Sequence, residues 1–434
     1  MQIQLEYGRI GLSVDIPDDR LSATLSYKDA VPLESPVNEL REVLREPLGT
    51  LPLRHVASGC ENACIVICDI TRPVPNQLIL DQALAELSAA GVPEESITIL
   101  IATGLHRAST QSEIVEMLGE DIADTYNVIS HDGHDETQLV FLGVSPRQVP
   151  IWVNKHFIES DVKITVGLIE PHFMAGFSGG RKLICPGICG VETIREWHSP
   201  RFLEHPNARS GVLKGNPVHE ENSWIAERIG CDFIINVVID DQRRPLKFVA
   251  GDMKEAFYEG AAFCKDVVTA IADAPADIVV TSSAGYPLDI TFYQSVKGMS
   301  AALPVIKQGG TIILAASMSE GIGSEPFQQL FQDHDDIESF MRAIHDPEYF
   351  VMDQWQMEKL AEVLRKANVI VVTDGLKPEV LSGLYVESAE SVEAAIEQAV
   401  KRHGDDATIA VIPKGPYVLA GLGSSEEDLS LIHI

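Results

Sequence analysis

Short continuous runs of apolar, largely β-branched residues recur along the chain: Ala63–Cys68, 97–101, 162–166, Phe233–Ile239, 278–281, 311–315, 369–373 and 408–412. Each has the length of a strand, and most lack strict in–out alternation. Continuous apolar strands belong to parallel sheets covered on both faces. Helical periodicity lies between many of them: residues 77–90, with Leu78, Leu84 and Leu87 ahead of a terminating Gly91, then 355–367 and 392–401. Strand and helix in alternation predict an α/β protein with right-handed crossovers and mainly parallel, helix-covered sheets. A length of 434 residues fits two such domains. A fresh strand after the Ala/Asp/Pro stretch at 271–276 suggests division into residues 1–272 and 273–434.

Composition narrows the class. The chain is 45% hydrophobic and 22% charged, with a formal net charge of −31. Such a charge excludes nucleic acid and an anionic membrane surface as partners. A small anionic substrate would need its own Arg/Lys clamp against the global field. No apolar window is long enough to span a bilayer, and Met1 to Leu5 has neither the basic nor the apolar region of a signal peptide, so a cytoplasmic protein is expected. The seven cysteines form no paired framework, and Cys60, Cys64 and Cys68 read as small core residues in a reducing compartment. The terminal run 431–434 is assigned no role.

Five clusters of chemically useful residues follow predicted strands. Asp69-Ile70-Thr71-Arg72-Pro73 ends the first. Arg72 there can grip a carboxylate or phosphate with its planar fork, or Asp69 can simply cap the next helix beside a solvated Arg. In Thr103-Gly104-Leu105-His106-Arg107 the glycine permits a tight turn, and His106 is either a general base or a structural turn residue. Glu170-Pro171-His172 leads into Gly176-Phe177-Ser178-Gly179-Gly180-Arg181-Lys182. This glycine-rich turn could cradle a phosphate through its amides, with Lys182 as nucleophile or attachment point, although Leu183 stands where a phosphate loop needs Ser or Thr. His198, in Trp197-His198-Ser199-Pro200, is a candidate metal ligand, with His205 and His219 nearby. His131 and His134 lie in an acidic stretch and are expected at the surface. Tyr293-Gln294-Ser295-Val296-Lys297 places Gln294 and Lys297 on one helical face, where an amide and a cation suit a carboxylate, or merely begin a solvated helix.

The ordered set, from Asp-x-x-Arg through Thr-Gly-x-His-Arg, Glu-Pro-His, Gly-Phe-Ser-Gly-Gly-Arg-Lys and His-Ser-Pro to Tyr-Gln-x-x-Lys, resembles the lactate racemase family. Asp353-Gln354-Trp355-Gln356 extends the likeness. The resemblance implies a racemase of a small 2-hydroxy acid, with the active site in the interdomain cleft. It implies a nickel(II)-pyridinium-3,5-bisthiocarboxylic acid mononucleotide, covalently held at Lys182, with His198 as the protein ligand to nickel. Asp69, Ile70, Thr71 and Arg72 would contact this cofactor, and Arg72, Tyr293, Gln294 and Lys297 the substrate. His106 and His172 would be the bases for the two enantiomers, with hydride transfer producing a 2-keto acid. Cofactor-synthesis proteins would be the loading partners. Other 2-hydroxy acids (malate, longer aliphatic or sugar acids) are alternative substrates. A phosphate-loop nucleotide-binding enzyme and a zinc hydrolase using His172, His198 and His205 are the competing readings.

Overall fold

The computed structural model describes residues 1–240, 242–346 and 348–423, so the 431–434 tail lies outside the described residues. The described residues form two compact units, Asp29–Val267, and Met1–Lys28 together with residues 268–423.

In the Asp29–Val267 unit, six strands form one sheet in the order Pro245–Gly251, Phe233–Ile239, Val162–Leu168, Ala63–Cys68, Ile97–Ala102, Asn127–Ser130. All neighbours run parallel except the first pair. Ile65 and Ile67, Ile99 and Ile101, and Ile164 and Val166 enter one core with Ile79, Leu80 and Leu87 of the helix Asn76–Ala90. That helix ends on left-handed Gly91, which frees the chain to turn into the next strand. From the central Ala63–Cys68 strand the chain builds outward one way through Ile97–Ala102 and the other through Val162–Leu168. The strand order therefore reverses between Ala63–Cys68 and Val162–Leu168, and the crevice beyond the carboxyl ends at such a point is where open α/β sheets place ligands. Cys64 is buried, and burial pushes the Cys68 thiol up to about 12, so both are inert packing groups.

The second unit holds an all-parallel six-stranded sheet in the order Glu387–Ser388, Asn368–Val372, Ile306–Ala315, Ala276–Ser282, Ile409–Ile412, Leu21–Thr24. One face packs on the helices Phe292–Ala302 and Gln354–Lys366. The other is covered by Val392–His403 and by Ile3, Leu5, Val14 and Ile16 of an N-terminal antiparallel hairpin. The expected division at 272/273 followed chain order; the compact units do not. Leu21–Thr24 pairs with Ile409–Ile412, which puts residues 1–28 with the C-terminal half. Short N-terminal strands show no partner in a linear pattern.

Among the described residues no helix is long and apolar enough to cross a membrane.

Candidate active site

The carboxyl ends of four strands in the Asp29–Val267 unit carry the unusual residues. Asp69 to Arg72 follow Ala63–Cys68, Thr103 to His106 follow Ile97–Ala102, His131 follows Asn127–Ser130, and Glu170 to Lys182 follow Val162–Leu168.

Asp69 is buried and accepts three bonds that define it. Its Oδ2 lies 2.7 Å from Nδ1 of His106, and its Oδ1 accepts from the Thr71 hydroxyl at 2.5 Å and, more weakly, from the Thr71 amide. Burial alone would raise its carboxyl, but the charge and hydrogen bond of His106, with Arg72 and Thr71, bring it down to about 2. An ionised carboxylate at Nδ1 fixes the proton there and leaves Nε2 of His106 as the basic nitrogen. The His106 side chain is 46% exposed, so that nitrogen can meet a substrate. Left-handed Gly104 (φ 58°) makes the turn that presents it.

Arg72 is held by a residue that sequence reasoning did not single out. Its Nε lies 2.8 Å from Oε1 of Glu170, and its Nη1 donates to the Thr71 hydroxyl at 3.0 Å. Glu170 then leads through Pro171 to His172. Nδ1 of His172 accepts from the amides of Met174 and Ala175, both at 3.2 Å, and its Nε2 lies 2.6 Å from Nζ of Lys182. Lys182 Nζ also sits 5.6 Å from the centre of the Trp197 ring, which meets His198 edge-on. Nδ1 of His198 faces the Ile194 carbonyl at 3.1 Å, which places its proton there and its lone pair on Nε2. Burial first, and the Lys182 charge second, hold His198 well below the usual imidazole range, in its neutral form. By way of the Thr71 hydroxyl, the chain at Pro171 and the Trp197 ring, contacts link His106, Asp69, Arg72, Glu170, His172, Lys182 and His198.

The glycine-rich turn is not an open phosphate cradle. Four of its amides are engaged within the chain: Phe177 to Ala175, Ser178 to Glu170, Gly180 to the Asn236 side chain, and Lys182 to Gly179. Arg181, only 2% exposed, explains the rigidity. Its guanidinium donates to the carbonyls of Ala175, Phe177 and Gly179 and stacks on Phe257 at 4.1 Å. A Lys could not reach three carbonyls in one plane.

Two surface assignments divide. His134 is exposed, but His131 is 1% exposed and hydrogen-bonded through both ring nitrogens, so its expected surface position is corrected. The acidic neighbours that suggested a surface loop point outward while His131 turns in. The zinc reading also fails: His205 is exposed, and among the described residues no group of three His, Cys, Asp or Glu is arranged to hold a metal.

In the other unit, Thr291 caps the helix Phe292–Ala302 through the Gln294 amide. Lys297 Nζ lies 2.6 Å from Gln294 Oε1, so the two do share a face. Tyr293 is tied down: its hydroxyl accepts from Trp355 Nε1 at 2.9 Å and its carbonyl from the Gln356 side chain at 2.6 Å. The Asp353-Gln354-Trp355-Gln356 block thus buttresses the helix that carries Gln294 and Lys297.

Residues 7–211 match the lactate racemase N-terminal domain and residues 271–420 the lactate racemase C-terminal domain. The chain belongs to the lactate racemase family. It is 37% identical over 424 residues to the lactate racemase of Thermoanaerobacterium thermosaccharolyticum, covering 96% of this chain and 98% of that one. It is 36% identical over 422 residues to that of Lactiplantibacillus plantarum, covering 96% and 99%. The solved lactate racemase apoprotein from T. thermosaccharolyticum superposes with a TM-score of 0.91 at 36% identity, covering 97% of this chain and all of that one. A Thermotoga maritima protein, at TM-score 0.69 and 19% identity over 91% of this chain and all of that one, shares the fold. The family is one of isomerases, and two-unit α/β architecture is common to it and this chain.

Proposed function

We propose that this chain racemises a small 2-hydroxy acid, with lactate as the first candidate, using a nickel-pincer nucleotide attached to Lys182. The observation that carries the reading is a pair of imidazoles at one sheet edge, each with Nδ1 fixed by the chain. Asp69 accepts a hydrogen bond from Nδ1 of His106, which leaves Nε2 basic, whereas the Met174 and Ala175 amides donate to Nδ1 of His172 and orient that ring in the opposite tautomer. Racemisation needs a base for each hand of the substrate, and two separately oriented imidazoles meet that need.

The residues present fit the cofactor. Lys182 offers an amine beside an imidazole, and His198 offers a neutral Nε2. A lone protein ligand suits a metal whose remaining donors come with its cofactor, and sulfur-rich planar coordination suits Ni(II). When bound, such a group supplies an electrophilic carbon that takes up and returns a hydride. The chain's own part is to orient and to move a proton. His106 Nε2 takes the hydroxyl proton of one enantiomer, and His172 would take that of the other once its own proton has moved off Nε2. Arg72 offers a fork for the substrate carboxylate, and Gln294 and Lys297 offer an amide and a cation of the same chemistry, so that only the reacting end need turn over. Asp69, Ile70 and Thr71 line the cofactor side, and Glu170 keeps Arg72 aligned. Loading calls for the proteins that synthesise the cofactor. The engaged amides of Phe177, Ser178, Gly180 and Lys182 weigh against the phosphate-loop alternative.

The test is chiral chromatography of a panel of single-enantiomer 2-hydroxy acids after incubation with protein made alongside the cofactor-synthesis proteins. Conversion of L- and D-lactate to a racemate is expected. Turnover of malate or a sugar acid with lactate untouched would move the substrate assignment, and no inversion of any 2-hydroxy acid would reject the function.

A further inference from the structure

We propose that buried His131 is a positioning residue that sets the turn carrying His106 against the segment running from Lys182 to His198. The inference depends on the proposed function for its kinetic readout alone.

His131 follows the strand Asn127–Ser130 and is tied on four sides. Its amide donates to the Ile101 carbonyl at 3.0 Å, and its own carbonyl accepts from the Thr103 hydroxyl. Ile101 and Thr103 flank the start of the His106 turn. Its ring reaches the other way: Nε2 lies 2.9 Å from the Cys189 carbonyl, and Nδ1 lies 3.0 Å from the Asn154 amide nitrogen. Asn154 Oδ1 already accepts from the His156 amide, so its Nδ2 faces the ring and donates to Nδ1. The proton of the neutral ring is therefore on Nε2, where it donates to Cys189. Burial pushes His131 below the usual imidazole range, in keeping with that tautomer.

The backbone repeats the stitch. The Gly104 amide donates to the Gly187 carbonyl at 2.9 Å, and the Val191 amide to the Gly133 carbonyl at 2.9 Å. Gly133 is wedged between the two segments, since a Cβ there would come 3.0 Å from the Cys189 carbonyl and 3.1 Å from that of Gly104. His131 is the side chain that joins the two across this seam. Removing its donor leaves the buried Cys189 carbonyl unsatisfied and lets the segments drift, which moves one base and the tether apart.

His131→Leu, His131→Gln and Thr103→Val separate the possibilities. Gln retains an amide donor for the Cys189 carbonyl; Thr103→Val removes only the hydroxyl on the turn side. Hydrogen exchange by mass spectrometry is read on peptides covering 102–108 and 184–191, and racemisation of lactate is resolved into kcat and KM. For His131→Leu, exchange rises in both peptides and kcat falls at least about tenfold with KM within about threefold. Gln restores most of both, and Thr103→Val loosens 102–108. Should His131→Leu fail to fold, the Thr103→Val and His131→Gln results carry the test. The proposal is overturned if exchange rises in neither or only one segment, or if kcat is unchanged. Wild-type protein that racemises nothing leaves the exchange readout decisive for the seam and rejects the function instead.

Discussion

At the residue scale, the site depends on tautomers. His106 is useful because Asp69 holds its proton on Nδ1, and His198 because the Ile194 carbonyl does the same. Asp69→Asn keeps the volume but places an amide beside His106 that can favour the wrong tautomer. We expect kcat for racemisation to fall by about 10² to 10⁴, with a small change in KM and unaltered nickel content. Steady-state kinetics with metal analysis reads this; a variant as fast as wild type would remove Asp69 from the mechanism. Asp69, Arg72 and His106 stand out in the sequence because each is a polar residue shortly after an apolar strand, whereas His198 and Lys297 lie at or within helices and stand out only through their motifs. Glu170 does not stand out, because its pairing with Arg72 joins two loops distant in sequence. His131 was misassigned for a related reason: acidic neighbours set the local composition, while its own direction is set by the Asn154 side chain and the Cys189 carbonyl.

At the element scale, the eight apolar runs all form strands, since burial on both faces leaves an uninterrupted signature. Asn127–Ser130 and Pro245–Gly251 escaped notice: the first is an edge strand that is only partly buried, and the second packs antiparallel at the other edge. The glycine-rich turn looked like a phosphate loop because glycines and a lysine share that pattern. What distinguishes it is Arg181, which fills the turn from inside. Arg181→Met strips the donors from three carbonyls, and a loss on the order of 3 kcal/mol is expected. Chemical denaturation measures it, and a variant with unchanged stability would show that the turn is held by something else.

At the scale of the whole molecule, the neutral buried histidines give a pH dependence of definite sign. Burial first, and the Arg181 charge second, bring His219 down to about 2, and burial also lowers His131. Unfolded, both take up a proton as pH falls below about 6.5, while the fold refuses it. Their folded pKa values lie below the unfolded ones, so stability is level above that range and falls as pH drops through it, by up to about 1.4 kcal/mol per pH unit for each. Urea midpoints at pH 7.5 and 5.5 should therefore decline with acid, and less so in the His131→Gln, His219→Gln double variant. A midpoint that rises on acidification would contradict this.

If Lys182 is the tether proposed above, it carries the cofactor in active protein. Peptide mapping with intact-mass measurement, on protein co-produced with the cofactor-synthesis proteins and assayed for lactate racemisation, addresses it directly. The account predicts a covalent adduct on the Lys182 peptide in active protein, and its loss together with activity in Lys182→Ala. Active protein whose Lys182 is unmodified would contradict it.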